Sequence, residues 1–407
     1  LIVLLFFSVN LSLDQAIDKA LMNSYLYLRA KKNLLIQQKT NSFIYSELLP
    51  QIYGGYDYSR SHSIATGMDL YDTTSAYSVS LSWNLKPTDF LDAYSTHYKN
   101  SSAYSYFQEM RDEVIFQAVT SYLNSFMMDE LLQSKIKAVE RTRNNYLLVK
   151  EKLRLGSASR AELLKSEVDF KQSQYELLRA RKDQRVARLK LTKLIGIDPT
   201  DSLVLQEPSI EFELPAKDSI RHLALLTDPT LNMYRSDVRS AKLDLLCNTT
   251  NQLFSLSLSG NYGYSGDNFP SSSVWDEGDH YSIGVSVSIP IFTGFGRVNS
   301  IMLSRLKLSL AELEFSERER DIRISVEDIY LGYRESMEKV ELTRIILELA
   351  KESYKATEER YRLGEASIIE LLVAEEDLLQ AHYSVTQAQF DYYLAIYKLK
   401  RLMGRLS

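Results

Sequence analysis

The chain has 407 residues, with 48 Lys+Arg against 53 Asp+Glu for a formal net charge of −5. A hydrophobic content of 45% with 25% charged residues excludes wholesale disorder, and mild acidity gives no electrostatic basis for nucleic acid as a partner. The single cysteine, Cys247, excludes an intramolecular disulfide and a thiolate-rich metal site, while only 15 Gly and 8 Pro imply long elements rather than many short ones.

Residues 1–10 read as the apolar end of a secretory signal peptide without its basic start. The run is too short to cross a bilayer as a helix, which needs ~20 residues, and no other stretch comes close. Any integral contact with a membrane must therefore be made by strands.

An internal repeat organises the rest. Residues 146–196 shifted by 208 positions onto 354–404 match without a gap at 21 of 51 positions. The best-matched segment is Arg154-Leu-Gly-Ser-Ala-Ser-Arg-Ala-Glu-Leu-Leu164 against Arg362-Leu-Gly-Glu-Ala-Ser-Ile-Ile-Glu-Leu-Leu372. A weaker match upstream pairs Gly54-Gly-Tyr-Asp-Tyr-Ser59 with Gly260-Asn-Tyr-Gly-Tyr-Ser265. The reading is a leader remnant over 1–10, a first repeat over 11–203, a linker over 204–214 and a second repeat over 215–407. Each repeat is expected to run helix (about 12–46 and 216–248), two strands (about 49–59 and 77–85; about 252–265 and 281–292), a very long helix (about 89–153 and 297–361) and a last helix (about 159–195 and 367–403).

Tyr77, Val79, Leu81, Trp83 and Leu85 alternate with Ser78, Ser80, Ser82 and Asn84, and residues 281–289 repeat the pattern. Period two with one apolar face fits a soluble sheet with one wet side as well as a membrane barrel. A wet face of Ser, Gly and Asn rather than Lys and Glu favours the barrel. The connections 60–76 and 266–280 are polar, as outer loops would be.

In the second long helix, Ile322, Val326, Ile329, Tyr333, Met337, Val340, Leu347, Ala350, Tyr354 and Tyr361 follow coiled-coil spacing. At ~1.5 Å per residue such a helix is roughly 100 Å long, a strut or tube wall rather than a core helix. Four strands cannot close a membrane barrel, which takes about eight or more, and open edges are not tolerated in lipid. Several chains must pool their strands.

The order Leu13-Asp-Gln-Ala-Ile17, Leu48-Leu-Pro50 before a strand, Ile289-Pro-Ile-Phe-Thr-Gly294 after one, and two Arg-Leu-Gly tips resembles the TolC-like outer-membrane efflux proteins over residues 11–404. The resemblance implies a mainly α fold with a β-barrel part: tandem-duplicated long α-helical coiled-coil hairpins plus four antiparallel strands per chain. A homotrimer would pool these into a twelve-stranded outer-membrane barrel, set in outer-membrane lipid, on a periplasmic α-helical barrel. The implied function is passive export of drugs, toxic solutes or secreted polypeptides, driven by an inner-membrane transporter and joined by a periplasmic adaptor protein.

The docking tips implied by the resemblance are Arg154, Leu155, Gly156 and Ser157, and Arg362, Leu363, Gly364 and Glu365. The implied periplasmic constriction falls on Glu370 and Tyr361, with Glu162 as the counterpart in the first repeat. Two family positions depart here, an acidic one at Val373 and a basic one at Ala366, so the family's inter-helix ionic latch is expected to be missing or rewired, with Arg160 or Arg362 as substitutes. Read without the resemblance, the tips are tight helix–helix turns and Glu370 is an exposed helix glutamate.

No catalytic constellation emerges. The five histidines (His62, His97, His222, His280 and His382) show no ligand spacing, and neither a phosphate loop nor a nucleophile elbow is present. No cofactor, metal or enzymatic activity is expected. The alternative reading is a soluble periplasmic coiled-coil scaffold that binds partners through its tips.

Overall fold

Two interleaved units share the chain: residues 1–32, 107–229 and 319–407 form one, residues 33–106 and 230–318 the other. A computed structural model describes residues 8–65, 68–198, 202–208, 212–250, 254–266, 279–292 and 294–406. The elements in order are β1 (Ser8–Leu11), α1 (Leu13–Asn23), α2 (Tyr25–Ser42), a 3-10 turn (Phe43–Leu48), β2 (Gln51–Ala65), β3 (Met68–Leu85), α3 (Pro87–Arg154) and α4 (Arg160–Ile195). Then come β4 (Ser202–Leu205), α5 (Lys217–Thr227), α6 (Pro229–Thr250), β5 (Ser255–Gly266), β6 (Asp279–Ser288), α7 (Gly296–Leu363) and α8 (Ile368–Leu402).

The two long helices are 68 residues each. Pro87 opens α3 at a position where its missing N–H costs nothing, and the Asp89 carboxylate accepts from the Lys86 N–H at 2.8 Å. The helices expected over 12–46 and 216–248 are each broken once. Asp228 precedes Pro229, which disfavours helical backbone at Asp228 and restarts the chain as α6. The corresponding break is at Ser24, whose backbone is extended (φ −63°, ψ 125°).

Strands β1 and β4 pair in parallel, Ser8 opposite Ser202 and Leu11 opposite Leu205. Residues 8–10, expected to end a leader, and residues 204–205, expected to be linker, lie in this one small sheet. Residues 1–7 of the leader reading, 209–211 of the linker and 267–278 of the second outer connection lie outside the described residues.

The core of the first unit gathers Leu11, Ala16 and Ala20 around Val114, Ile115, Ala118, Val119 and Tyr122 of α3, with Leu191, Ile195 and Tyr397. The α3 residues recur at helical spacing, and the alanines let the backbones approach. Each fully buried Leu or Ile contributes about 1.5–3 kcal/mol. The duplication is visible in the packing. Gly196 (φ 70°) seats against Asn23 and Gly404 (φ 66°) against Thr227, each so close that a Cβ would lie 2.6 Å and 2.8 Å from the facing Cβ. Each last helix thus docks its terminal glycine on the end of its repeat's first helix.

In the second unit the strands form one antiparallel sheet in the order β2-β3-β5-β6. The register stacks like on like: Trp83–Leu258–Val285 and Val79–Tyr262–Tyr281 lie on one face, Ser80–Asn261–Ser282 and Asn84–Ser257–Ser286 on the other. The hairpin β2–β3 is longer than expected. Residues 60–65 and 68–76, read as a loop, continue the ladder to the Ala65–Met68 pair. Polar side chains there do not oppose pairing, because the ladder is made by backbone groups. At the other end of β3, Trp83 donates its indole N–H to the Leu48 carbonyl at 3.0 Å, tying the strand to the turn that enters the sheet.

The apolar face is bare at its edge strand β6, while Tyr264 of β5 on the same face is buried. Tyr281, Ile283, Val285 and Val287 of β6 are 61–79% exposed, a pattern that water disfavours and lipid accepts. No described helix is long and apolar enough to cross a membrane.

Candidate functional site: the hairpin tips

Each long helix turns back on itself at an Arg-Leu-Gly tip, and the two turns have the same construction. At the first, Gly156 (φ 76°) donates to the Leu153 carbonyl at 3.0 Å and Ser157 N–H to Lys152 O at 2.8 Å. At the second, Gly364 (φ 83°) donates to Tyr361 O at 3.2 Å and Glu365 N–H to Arg360 O at 2.8 Å. These bonds close the last carbonyls of α3 and α7, and the left-handed backbone requires Gly. A Cβ at either Gly would meet nothing within 4 Å, so the constraint is backbone conformation alone.

The next helix starts on a capping box in both copies. Ser159 accepts from Glu162 N–H at 3.2 Å, and Glu162 accepts from Ser159 N–H at 2.6 Å. Ser367 and Glu370 repeat this at 3.2 Å and 3.1 Å. Both acidic residues singled out from the sequence therefore share a local task, satisfying free N–H groups at a helix start. These bonds, and the Arg360 charge, hold the Glu370 carboxyl below its ordinary value. Its cationic neighbour is Arg360, Nη2 to Oε2 3.6 Å, whereas Arg362 pairs with Glu358 at 3.8 Å. Arg154 pairs with Glu151 at 2.5 Å. Leu155 and Leu363 project at the tips, 67% and 75% exposed, and Val373 is exposed as well.

Tyr361 is placed differently. It is 3% exposed and packs with Val149, Tyr354, Ile368, Leu371, Ala374 and Leu378 in a core that joins hairpin α3–α4 to hairpin α7–α8. Its hydroxyl is buried with no hydrogen-bond partner among the described residues. Burial, reinforced by the Glu162 charge, raises its pKa. Lys152 of α3 donates to the Tyr361 carbonyl and places its ammonium 4.0 Å from the ring centre. The contact between hairpins at the level of the tips is thus a lysine on a tyrosine.

A further group escaped the sequence reading. Glu375 is 5% exposed, with Oε1 3.3 Å from Arg141 Nε and Oε2 2.9 Å from Asn145 Nδ2. The available signal was its position: Leu371, Ala374, Glu375 and Leu378 form one helical stripe, and a charge inside an apolar stripe is unusual. Among the described residues no group of His, Cys, Asp and Glu could hold a metal ion. Cys247 lies buried with its thiol 3.3 Å from Asp92 Oδ1, and burial followed by the Asp92 contact pushes it up to about 12, far from a reactive thiolate.

Residues 220–405 match the family model described as outer membrane efflux protein. The chain is 22% identical to the outer membrane efflux protein BepC of Brucella suis, over 97% of this chain and 86% of that protein. It is 22% identical to the alkaline protease secretion protein AprF of Pseudomonas aeruginosa, over 74% of this chain and 63% of the relative. Among solved structures, the CmeC outer membrane channel of Campylobacter jejuni superposes with a TM-score of 0.83 at 20% identity, covering 97% of this chain and 85% of CmeC. VceC of Vibrio cholerae gives 0.85 at 15% identity, with 96% of both chains covered.

The fold is that of TolC-like outer-membrane channels, mainly helical with a small antiparallel sheet. Residues 220–405 are thus similar in sequence to outer membrane efflux proteins, and the chain as a whole has the fold of bacterial outer-membrane channels.

Proposed function

We propose that this protein is the outer-membrane export channel of a three-part path, working as a homotrimer that receives cargo from an inner-membrane transporter through a periplasmic adaptor. The observation that carries this reading is the four-stranded sheet, apolar on one face and open at both edges, β2 and β6. In lipid such edges must be paired, and four strands are too few to close on themselves, since single-chain barrels need about eight or more. Identical copies pairing edge to edge satisfy every backbone group. An apolar row on α7, Val298, Met302, Leu306, Leu310 and Leu313, is 55–61% exposed at a spacing of three to four residues, and a neighbouring copy would cover it.

The tips Arg154–Ser157 and Arg362–Glu365 are the adaptor-docking surface in this reading, with Leu155 and Leu363 as the apolar anchors. Glu370, with Tyr361 and Glu162 behind it, forms the periplasmic constriction. One exposed glutamate per chain becomes a ring of carboxylates about the trimer axis, which draws cations. Two of the relatives are named for efflux and for alkaline protease secretion, so small solutes and polypeptides are both suitable cargo.

The test is single-channel conductance in planar bilayers of detergent-purified protein whose mass has been checked. A trimer with stepwise, cation-selective conductance that loses selectivity in Glu370→Gln is the expected result. Unchanged selectivity removes Glu370 from the constriction and leaves the channel. A folded, water-soluble species without conductance overturns the channel and favours the periplasmic scaffold.

A further inference from the structure

Glu375 of α8 is enclosed between the two hairpins. From α3 it receives Arg141 Nε and Asn145 Nδ2. The Arg141 contact is single and 3.3 Å long, not the two-pronged grip that holds a buried carboxylate firmly ionised. Arg141 Nη2 is itself buried without a hydrogen-bond partner among the described residues. The guanidinium lies 5.9 Å from the centre of the Tyr354 ring of α7.

The charges around this cluster come from every helix packed against it. From α3 come Lys137 and Arg141, and from α4 Asp169, with Lys165 and Glu176 beside it. From α7 come Lys351, Tyr354 and Glu358, and from α8 Glu376 and the half-buried His382. Burial dominates at Glu375 and lifts it to about 7; Arg141 pulls down and Asp169 pushes up. Asp169 is raised by its own burial. The first repeat has a glutamate at the matching position, Glu167, which is only partly buried, so the enclosure belongs to the second copy.

We infer that Glu375 is a proton-operated clasp between hairpins α3–α4 and α7–α8, holding them together when protonated and favouring their separation when ionised. The sign follows from linkage. A carboxyl that binds its proton more tightly when enclosed than when solvated couples proton uptake to closure. Closure is favoured below its ordinary value of 4.5, and this contribution is lost as pH rises through about 7. His382 acts the other way, since its enclosed ring resists protonation. As control of a gate the clasp rests on the channel reading; as a joint between hairpins it does not.

The experiment uses the full chain in detergent, spin-labelled at Lys150→Cys and Glu359→Cys, two exposed positions on α3 and α7. Distances between labels are measured by pulsed electron resonance at about pH 5.5 and about pH 8.5, bracketing the titration. The parted population is expected to grow at least about tenfold at the higher pH. Glu375→Gln, which keeps the shape without the charge, should stay closed at both. Asp169→Asn, which removes the neighbouring charge, should move the native midpoint to lower pH. A distance independent of pH in the native chain, or a Glu375→Gln variant that parts like the native one, overturns the clasp. Parting without conductance would retain the clasp and remove the channel; conductance with no parting does the reverse.

Discussion

Lys152 and Tyr361 are joined twice: the Lys152 ammonium donates to the Tyr361 carbonyl and lies 4.0 Å from the centre of its ring. The carbonyl belongs to the last turn of α7, where it already accepts from Gly364, so a positive charge there also complements the helix end. Lys152→Met keeps the length of the side chain and loses both contacts. It is expected to lower stability by about 1–2 kcal/mol, read as a shift in denaturant midpoint at unchanged slope. Tyr361→Phe removes only a buried hydroxyl that has no partner among the described residues, and should be neutral or slightly stabilising. Equal losses in both variants would mean that the hydroxyl, not the lysine, holds the hairpins.

The capping boxes separate the roles of Ser and Glu at the tips. Ser159→Ala and Ser367→Ala should each cost about 1 kcal/mol. Glu162→Gln and Glu370→Gln should cost much less, because Gln also serves at this position of the box. Thermal melts of the four variants check this. The result also makes Glu370→Gln a clean probe of charge in the conductance experiment, since it leaves the helix start intact.

The four glycines that end helices, Gly156, Gly196, Gly364 and Gly404, have positive φ for two different reasons. Gly364→Ala faces open space and is expected to lose roughly 1–2 kcal/mol from left-handed strain alone. Gly404→Ala adds a collision with Thr227, whose Cβ would lie 2.8 Å away, and should lose about 1–3 kcal/mol more. Thr227→Ala in the same chain should restore part of the loss at Gly404 and none at Gly364. Comparison of melting midpoints decides the matter.

His382 gives the acid side of the stability profile. Burial first, and then the Lys351, Arg141 and Lys137 charges, depress its pKa. A histidine depressed in the folded state destabilises that state as pH falls below its ordinary value of 6.5. His382→Gln should therefore melt like the native chain at neutral pH and above it in temperature under mild acid. Identical profiles would place the acid sensitivity elsewhere.

Much of this architecture was legible because the sequence states it twice. The period-two rows of β3 and β6, the unbroken heptad-like spacing of α7 and the paired tips at Gly156 and Gly364 are local signals, each repeated in register. What was not legible depended on partners far along the chain. The strand β1 exists only because residues 202–205 lie beside it, and the leader-like apolar run gave no hint of that. Residues 60–65, which begin Arg-Ser-His-Ser, carry no strand signal in their side chains, and their pairing is made by the backbone alone. Glu375 sat in plain view on its stripe, but its burial is set by Arg141 and Asn145, more than two hundred residues away. Glu162 and Glu370 were found through the resemblance, while their immediate bonds are to the serines three residues before them.

The sheet order β2-β3-β5-β6 has a consequence for assembly by parity. The duplicated unit is a hairpin, so each chain brings an even number of strands, and its two outermost strands run in opposite directions. Joining β6 of one copy to β2 of the next is then antiparallel, like every pairing inside the chain. An odd strand count would have forced a parallel seam at each junction. Duplication of a hairpin thus guarantees a uniform ladder around any ring of identical copies, whatever number closes it.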